Sequence, residues 1–269
     1  MKIVVVMGSP RKLETLKVVQ RFEEKLVAQC EVTFNYIFLK DVCIKPCLGC
    51  FICLEKGEEF CPQRDDDRVK IFDLLMNADG VIFASPNYSL QVTALMKNFL
   101  DRMAYVFHRP CFFHKAFIPI ITQGVYGGEE IMKYLETLGS FWGFNVTKGV
   151  LVTTPPGVRL PAEETKIQRK ITEGVHRFQK TLTGNPSPKP NIKKFIIFNL
   201  VCAFKPYGPK DRDYNYFKDK GWLEASYYYE TKLPLIYRII GTFVRTKFSK
   251  EGAKRQMLLS RLRKQDLER

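Results

Sequence analysis

The chain alternates short apolar segments that have the two-residue period of strands with longer segments that have the period of helices. Lys2–Met7 is a β-branched apolar run that is too short for a buried helix. In residues 13–26 apolar side chains recur every three or four positions, and in residues 32–38 they alternate with polar ones. This succession predicts a β-α-β unit with parallel strands.

The same alternation continues to residue 182 and predicts an α/β fold, a doubly wound five-stranded parallel sheet. A ligand of such a sheet binds beyond the carboxyl ends of the strands. Residues 117–122 are predicted as the fourth strand although Pro119 cannot donate a hydrogen bond to a neighbouring strand and would normally indicate an edge. Further strands are predicted at 81–84, 117–122 and 145–152, and further helices after Asp65 to Asp67 and at 91–106, 129–141 and 160–182.

Residues 183–191 hold three prolines and predict a linker between a domain of residues 1–182 and a basic helical C-terminal extension of residues 192–269. Residues 191–269 contain 18 Lys and Arg against 8 Asp and Glu, a charge of +10 out of +15 for the chain. Contact with an anionic membrane surface is one interpretation. We favour the other, in which the extension covers its own core or a partner subunit. No nucleic-acid partner is predicted, because no known binding motif accompanies the charge.

The cellular compartment is expected to be the cytoplasm. The chain has no run of about 18 apolar residues, the length that a membrane-spanning helix needs. Its apolar residues 1–7 lead directly into Gly-Ser-Pro without a cleavage pattern.

The turn between the first strand and the first helix, residues 8–15, contains groups that bind phosphate. Backbone N–H groups and the helix dipole favour an anion there, Ser9 and Thr15 add hydroxyls, and Arg11 adds a cation. The turn has neither a Gly-x-Gly-x-x-Gly nor a Gly-x-x-x-x-Gly-Lys-Ser/Thr pattern, so no dinucleotide fold or P-loop is indicated. A monophosphate such as that of FMN remains, and an ordinary turn with a serine cap is the alternative.

Two further turns follow the predicted third and fourth strands and are suited to a flat ring. One offers an aromatic ring and backbone amides, and the glycines of the other permit close approach of the backbone to a flat ligand. Each alone is consistent with an ordinary Pro/Gly turn, but three such turns at one sheet edge predict a flavin site. The predicted flavin contacts in these two turns are Pro86, Asn87, Tyr88, Ser89, Thr122, Gln123, Gly124, Gly127 and Gly128.

Five of the eight cysteines lie between Cys43 and Cys61. In a reducing compartment this clustering indicates a metal or redox role more than disulfides. A Cys-x-x-Cys-x-x-Cys run and a distant cysteine before Pro62 are similar to the ferredoxin run that ligates a cubane cluster. Structural zinc and a reduced thiol loop without metal are the alternatives. The predicted ligands of a [4Fe-4S] cluster are Cys47, Cys50, Cys53 and Cys61.

Several of these motifs, in this order, resemble a known family. They are Gly-Ser-Pro-Arg at 8–11, the cysteine run, an Asp-Asp pair, Ala-Ser-Pro-Asn-Tyr at 84–88 and Met-Lys-Asn-Phe-Leu-Asp-Arg at 96–102. Over about the first 155 residues the chain resembles the NADPH-dependent FMN reductase family and its iron–sulfur flavoprotein branch. The resemblance implies a flavodoxin-like fold, FMN bound by the three turns, NAD(P)H as electron donor, and a homodimer or tetramer.

The chain departs from the family's pattern in the phosphate turn, where Leu13 and Glu14 replace the small polar residues that usually precede the threonine. A glutamate beside a phosphate dianion is repulsive unless its side chain turns to solvent. The phosphate contacts of Thr15 are therefore less secure than those of Ser9 and Arg11.

These observations lead to an enzyme hypothesis, an oxidoreductase that takes hydride from NAD(P)H through FMN. It would pass electrons to a small-molecule or protein acceptor, directly or through the cluster. Because the flavin carries this chemistry, no side chain is predicted to act as an acid or base. Two other classes remain: an electron carrier like a flavodoxin or ferredoxin without its own substrate, and a thiol or metal sensor.

Overall fold

A parallel sheet forms the centre of the fold. Its strands follow the order β2-β1-β3-β4, and both β5 and β6 pair with β4 in parallel. β3 and β4 are buried along almost their whole length, as expected for strands that are covered on both faces. The strands are β1 (Lys2–Met7), β2 (Thr33–Phe38), β3 (Gly80–Pro86), β4 (Ala116–Gln123), β5 (Asn145–Val146) and β6 (Val150–Thr153).

The computed structural model describes residues 1–155 and 157–267. Its helices are α1 (Glu14–Val27), α2 (Ile52–Glu55), α3 (Arg68–Met76), α4 (Ala94–Arg102), α5 (Ala104–His108), α6 (Gly128–Trp142), α7 (Pro161–Leu182), α8 (Ile192–Phe204), α9 (Arg212–Asp219) and α10 (Leu235–Leu267).

The two faces of the sheet are covered by different kinds of side chain. On one face, α1 and α7 pack aliphatic residues and the ring pair Phe22 and Phe178 against the strands. On the other, Phe99 of α4 and Trp142 of α6 meet Phe83 of β3 edge to face. The sheet with helices on both faces is the predicted doubly wound, flavodoxin-like architecture.

The chain divides into two units that do not follow the order of the sequence. The first consists of Met1–Cys50 and Cys61–Pro186, and the second of Phe51–Phe60 and Ser187–Arg269. Within the second unit α8 packs along α10, and α2 packs against α9. A short segment from the middle of the chain therefore belongs with the helical C-terminal extension.

The strand predicted at 117–122 is confirmed as β4, but it is not at an edge as a proline would normally indicate, because β4 lies between β3 and the pair β5 and β6. The predicted fifth strand is interrupted at residues 147–149, which separates β5 from β6. The C=O of Phe117 accepts the N–H of Thr147 at 2.8 Å. Since backbone groups alternate in direction along a strand, position 119 faces the same side as position 117. A backbone N–H at position 119, which proline lacks, would thus point towards residues 147–149, where the neighbouring strand is interrupted.

The predicted helix over residues 91–106 is two helices, α4 and α5. It begins three residues later than expected because Gln91 pairs with Tyr88 in a tight turn. Thr93 then caps α4 by accepting the N–H of Met96 at 3.2 Å. Within the described residues, no helix combines the length and apolar character that a membrane crossing requires.

Candidate active site

Three turns lie side by side at the carboxyl edge of the sheet. We call them the first turn (residues 8–13), the second turn (residues 87–93) and the third turn (residues 124–127), after the strands β1, β3 and β4 that precede them. These strands are parallel neighbours, so their carboxyl ends share one edge. The fold therefore places together the three segments that the sequence predicts to form one site.

Hydrogen bonds hold the ends of these strands and the turns in fixed positions. The hydroxyls of Thr15 and Thr122 are 2.8 Å apart and buried. The N–H of Asn87 donates to the C=O of Thr122 at 2.7 Å, and its side-chain Nδ2 donates to the C=O of Tyr126 at 2.8 Å. Thr15 and Thr122 thus bond to each other and link the start of α1 to the end of β4.

The first turn is shaped by Ser9 and offers the cation of Arg11. Ser9 is buried; its hydroxyl donates to the C=O of Arg11 at 2.6 Å and accepts the N–H of the same residue at 3.2 Å. The guanidinium of Arg11 is exposed, with Nη2 3.4 Å from the hydroxyl of Tyr88. Lys12 turns away instead, because its ammonium lies over the ring of Phe38 and 3.8 Å from Asp41.

The start of α1 has free backbone donors. The residue before the helix is Leu13, and no side chain in the described part of the chain caps this terminus. The first N–H groups of a helix lack partners inside the helix, so an anion can accept them. The carboxylate of Glu14 pairs with Arg159 and, at 3.1 Å, with Lys17. These pairs compensate the negative charge that the sequence suggested would oppose a phosphate.

The second turn is a two-residue hairpin. Tyr88 and Gln91 exchange backbone hydrogen bonds of 2.9 and 3.0 Å, and Ser89 and Leu90 both have positive φ, 50° and 64°. A Cβ on Gly127, which has a φ of 89°, would lie 2.3 Å from Leu90 Cδ2. Sequence reasoning missed Leu90, whose side chain connects the second turn to the third and explains the glycine at 127.

The third turn is held in place by Gln123. Its buried side chain accepts the N–H of Gly128 at 2.7 Å and donates to the hydroxyl of Thr153 at 3.2 Å. Gln123 therefore shapes the turn through bonds within the protein. A Cβ on Gly124 would have no atom within 4 Å, so the backbone there faces open space.

The residues present fit a flavin mononucleotide. The uncapped start of α1 and the exposed Arg11 suit a phosphate dianion. Asn87 Oδ1 is buried and has no hydrogen-bond partner among the described residues. A flavin ring carries an N–H that could donate to this oxygen, and the open backbone at Gly124 leaves room for a flat ligand.

A buried ion pair ties together the two ends of the cysteine loop, which we define as residues 43–61. The carboxylate of Asp66 pairs with the guanidinium of Arg102 on α4, and their side chains are 0% and 2% exposed. Arg102 also donates to the C=O of Lys45 at 2.7 Å and of Gln63 at 2.6 Å. Asp66 in turn accepts the N–H of Lys45 at 3.1 Å. Both ends of the loop are thereby fixed to α4.

Asp67 adds a second tie to the start of the cysteine loop. Its Oδ2 accepts the N–H of Cys43 at 2.9 Å, and its own N–H donates to the C=O of Cys43 at 2.8 Å. Two hydrogen bonds hold the pKa of the Asp67 carboxyl below its ordinary value. The one from the backbone of Cys43 has the larger effect, and the one from the side chain of Lys70 has the smaller. Asp65, Asp66 and Asp67 therefore anchor the loop and also immediately precede α3.

The thiols of the cysteine loop do not gather around one point. Cys43, Cys47 and Cys50 are exposed, while Cys61 is half-buried with its Sγ 3.8 Å from Arg102 Nη2. Over residues 1–155 and 157–267, no three Cys, His, Asp or Glu side chains are placed to hold a metal ion. Thiolates suit an iron–sulfur cluster chemically. The positions of Cys47, Cys50, Cys53 and Cys61 do not, however, support the predicted cluster.

We expect Asp66→Asn to lower the free energy of unfolding by about 3 kcal/mol, because it leaves the buried guanidinium of Arg102 without a counter-charge. Asp65→Asn is the matched control: its side chain is 78% exposed and pairs with Lys45 at the surface, so the loss should stay below about 1 kcal/mol. Urea unfolding of the two variants measures the difference. Equal losses would contradict the anchoring role of the buried pair.

Comparisons with known proteins agree with this fold. The model of the family described as NADPH-dependent FMN reductase matches residues 1–156. An iron–sulfur flavoprotein from Archaeoglobus fulgidus is 32% identical over 232 residues, which cover 83% of this chain and 100% of the relative. Another, from Clostridioides difficile, is 30% identical over 217 residues, 78% of this chain and 92% of the relative.

Solved structures support the fold at lower identity. An FMN-dependent NADH-azoreductase from Bacillus anthracis, in complex with FMN, superposes with a TM-score of 0.51 at 14% identity, covering 66% of this chain and 99% of the other. An oxidoreductase from Corynebacterium diphtheriae gives 0.51 at 18% identity, covering 68% and 97%. The family match spans more than half of the sequence, and we conclude that the chain belongs to the NADPH-dependent FMN reductase family.

Proposed function

We propose that the protein is an FMN-dependent oxidoreductase that takes hydride from NADH or NADPH and passes the electrons to a small-molecule or protein acceptor. The observation that carries the proposal is the meeting of three turns beside an uncapped helix terminus, with Arg11 exposed on the first turn. Family membership supports the same reaction class. The resemblance also implies a homodimer or tetramer, which we include in the proposal.

The protein's part in this reaction is to bind and orient, since the bound flavin supplies the redox chemistry. Arg11 and the first N–H groups of α1 would hold the phosphate, and Asn87 Oδ1 would accept from the ring. The hydrogen bonds of Ser9, Thr122 and Gln123 lie within the protein and fix the turns before any ligand arrives. Such preorganisation lowers the cost of ordering the site on binding.

Apolar side chains border the candidate site and remain open to solvent. Val125 and Tyr126 on the third turn are 76% and 70% exposed, and Leu160, next to the Arg159 that pairs with Glu14, is 66% exposed. Exposed apolar groups beside a ligand site are suited to a flat substrate such as a nicotinamide, or to a partner subunit. They support both the donor and the oligomer that we propose.

Reconstituted with FMN, the purified protein should oxidise NADH or NADPH in the steady state with an added acceptor and no other protein. An electron carrier would oxidise neither until a separate reductase is added, so the assay separates the two classes. Comparing the two nicotinamides at equal concentration identifies the preferred donor. Absence of turnover by FMN-loaded protein with either donor would refute the enzyme proposal.

Replacing Arg11 by alanine should weaken FMN binding roughly 10- to 100-fold, since it removes a charge-assisted hydrogen bond to the phosphate. Lys12→Ala is the matched control, because it removes the same charge one residue later from a side chain held by Phe38 and Asp41. Quenching of flavin fluorescence measures both affinities. Riboflavin, which lacks the phosphate, should bind all three proteins alike; an equal loss of riboflavin affinity in Arg11→Ala would place the phosphate elsewhere.

We also propose that the cysteine loop can bind an iron–sulfur cluster. The support is the run of Cys47, Cys50 and Cys53, the exposure of Cys47 and Cys50, and similarity to relatives named as iron–sulfur flavoproteins. Gly49 and Phe51 adopt positive φ values of 63° and 58°, which already turn the backbone sharply between the cysteines. The thiols would have to converge further than they do in this structure.

Protein purified without oxygen should contain roughly four irons and four sulfides per chain if the loop binds the cubane cluster. Cys50→Ser should abolish this content. Cys202→Ser should not, because Cys202 is buried in the second unit and burial raises the pKa of its thiol to about 12. Iron and sulfide analysis with an absorption spectrum is the measurement. Iron-free protein, or one holding zinc instead, would refute the cluster and leave the flavin proposal unaffected.

A further inference from the structure

The first turns of α10 present apolar side chains to solvent. Leu235, Ile239 and Phe243 are four residues apart and lie on one face of the helix, with Ile236 beside them. Leu235 is 72% exposed, Phe243 is 65% exposed, and the two isoleucines are each 57% exposed. We call these four residues the apolar stripe. A helix that packs on one side is expected to carry polar groups on its outer side, so the stripe needs an explanation.

Packing within the second unit does not account for the exposure of the apolar stripe, because α10 uses another face for it. α10 meets α8 through its opposite face, where Gly241 and Val244 are buried. A Cβ on Gly241 would lie 3.0 Å from the ring of Phe195, which shows how closely the two helices approach. Phe248 contacts Phe204 on the same side, with ring centroids 5.7 Å apart. α10 thus covers the core of its unit with one face and leaves the stripe on the other.

Cations border the apolar stripe. Lys232 precedes it, Arg238 lies beside it, and Lys247 and Lys250 follow it, all exposed. α10 carries nine Lys and Arg against two Asp and Glu. Apolar side chains flanked by cations on one helix are the combination that binds the interface of an anionic bilayer.

We propose that the apolar stripe of α10 docks the protein on an anionic lipid bilayer, with the helix lying in the plane of the interface. Charge complementarity favours this occupant over a second copy of the chain, because two stripes pressed together would bring their bordering cations together. Anionic headgroups instead satisfy the cations while the acyl region accepts the apolar side chains. The apolar stripe does not include any residue of the candidate flavin site, so vesicle binding can be tested independently of flavin binding.

The test is cosedimentation of the full chain with vesicles of phosphatidylcholine, alone or mixed with phosphatidylglycerol. The protein should bind the mixed vesicles and not the neutral ones, and high salt should weaken binding, because salt screens exposed charges. The double variant Ile239→Ser/Phe243→Ser should lose at least about tenfold in affinity for the mixed vesicles. Lys247→Glu/Lys250→Glu should lose affinity in the mixed vesicles at low salt.

Leu259→Ser is the matched control, since Leu259 is also exposed but points away from the stripe on the same helix. Its vesicle binding should equal that of the unaltered chain, and circular dichroism checks that every variant remains folded. Sedimentation velocity without lipid tests the rival occupant. The proposal is overturned if the chain ignores anionic vesicles, if the stripe variants bind as well as the control, or if they differ only in dissociating a dimer.

Discussion

The parallel alignment of β1, β3 and β4 is the constraint on which the candidate site depends. Parallel strands end at one edge, so the segments that follow them become neighbours although they are far apart in the sequence. The buried contact between Thr15 and Thr122 and the bond from Asn87 to Thr122 then fix the distances between the segments. The three turns contribute one feature each: the exposed Arg11, an Asn87 Oδ1 without a partner among the described residues, and the open backbone at Gly124.

The cysteine loop depends on a different interaction, the pair of Asp66 and Arg102. A fully buried ion pair is costly to desolvate and is tolerated when further hydrogen bonds satisfy both partners. Here the carbonyls of Lys45 and Gln63 accept from Arg102, and the N–H of Lys45 donates to Asp66. The pair joins both ends of the loop to α4, the helix whose start bonds the first turn through Thr93 and Gly8. The two ends of the loop and the candidate flavin site, all in the first unit, are therefore anchored to one helix.

Much of this architecture could be predicted from local sequence patterns. The order of strands and helices and the edge at which the turns meet follow from periodicity and from the rules of parallel sheets. The interior position of Pro119 could not be predicted, because it depends on an interruption in the neighbouring strand at residues 147–149. The division of the helix predicted at 91–106 into α4 and α5 could not be predicted either. The late start of α4 depends on the hairpin that Gln91 closes with Tyr88.

Side-chain roles in the site were harder to predict than its location. Ser9, Thr15 and Gln123 have the donors and acceptors of ligand contacts, yet their bonds in this structure lie within the protein. The partner of Glu14 is Arg159, which lies 145 positions later in the chain and carries no local signal. Leu90 was missed for a similar reason, since its positive φ is set by the turn and its contact with Gly127 is made across two loops.

A crystal structure of the protein with FMN tests the account most directly. We predict density for the phosphate at the start of α1 within reach of Arg11, and for the ring between the second and third turns, with Asn87 Oδ1 accepting a hydrogen bond from it. Flavin bound anywhere else, or a phosphate remote from the first turn, would contradict the assignment of the site.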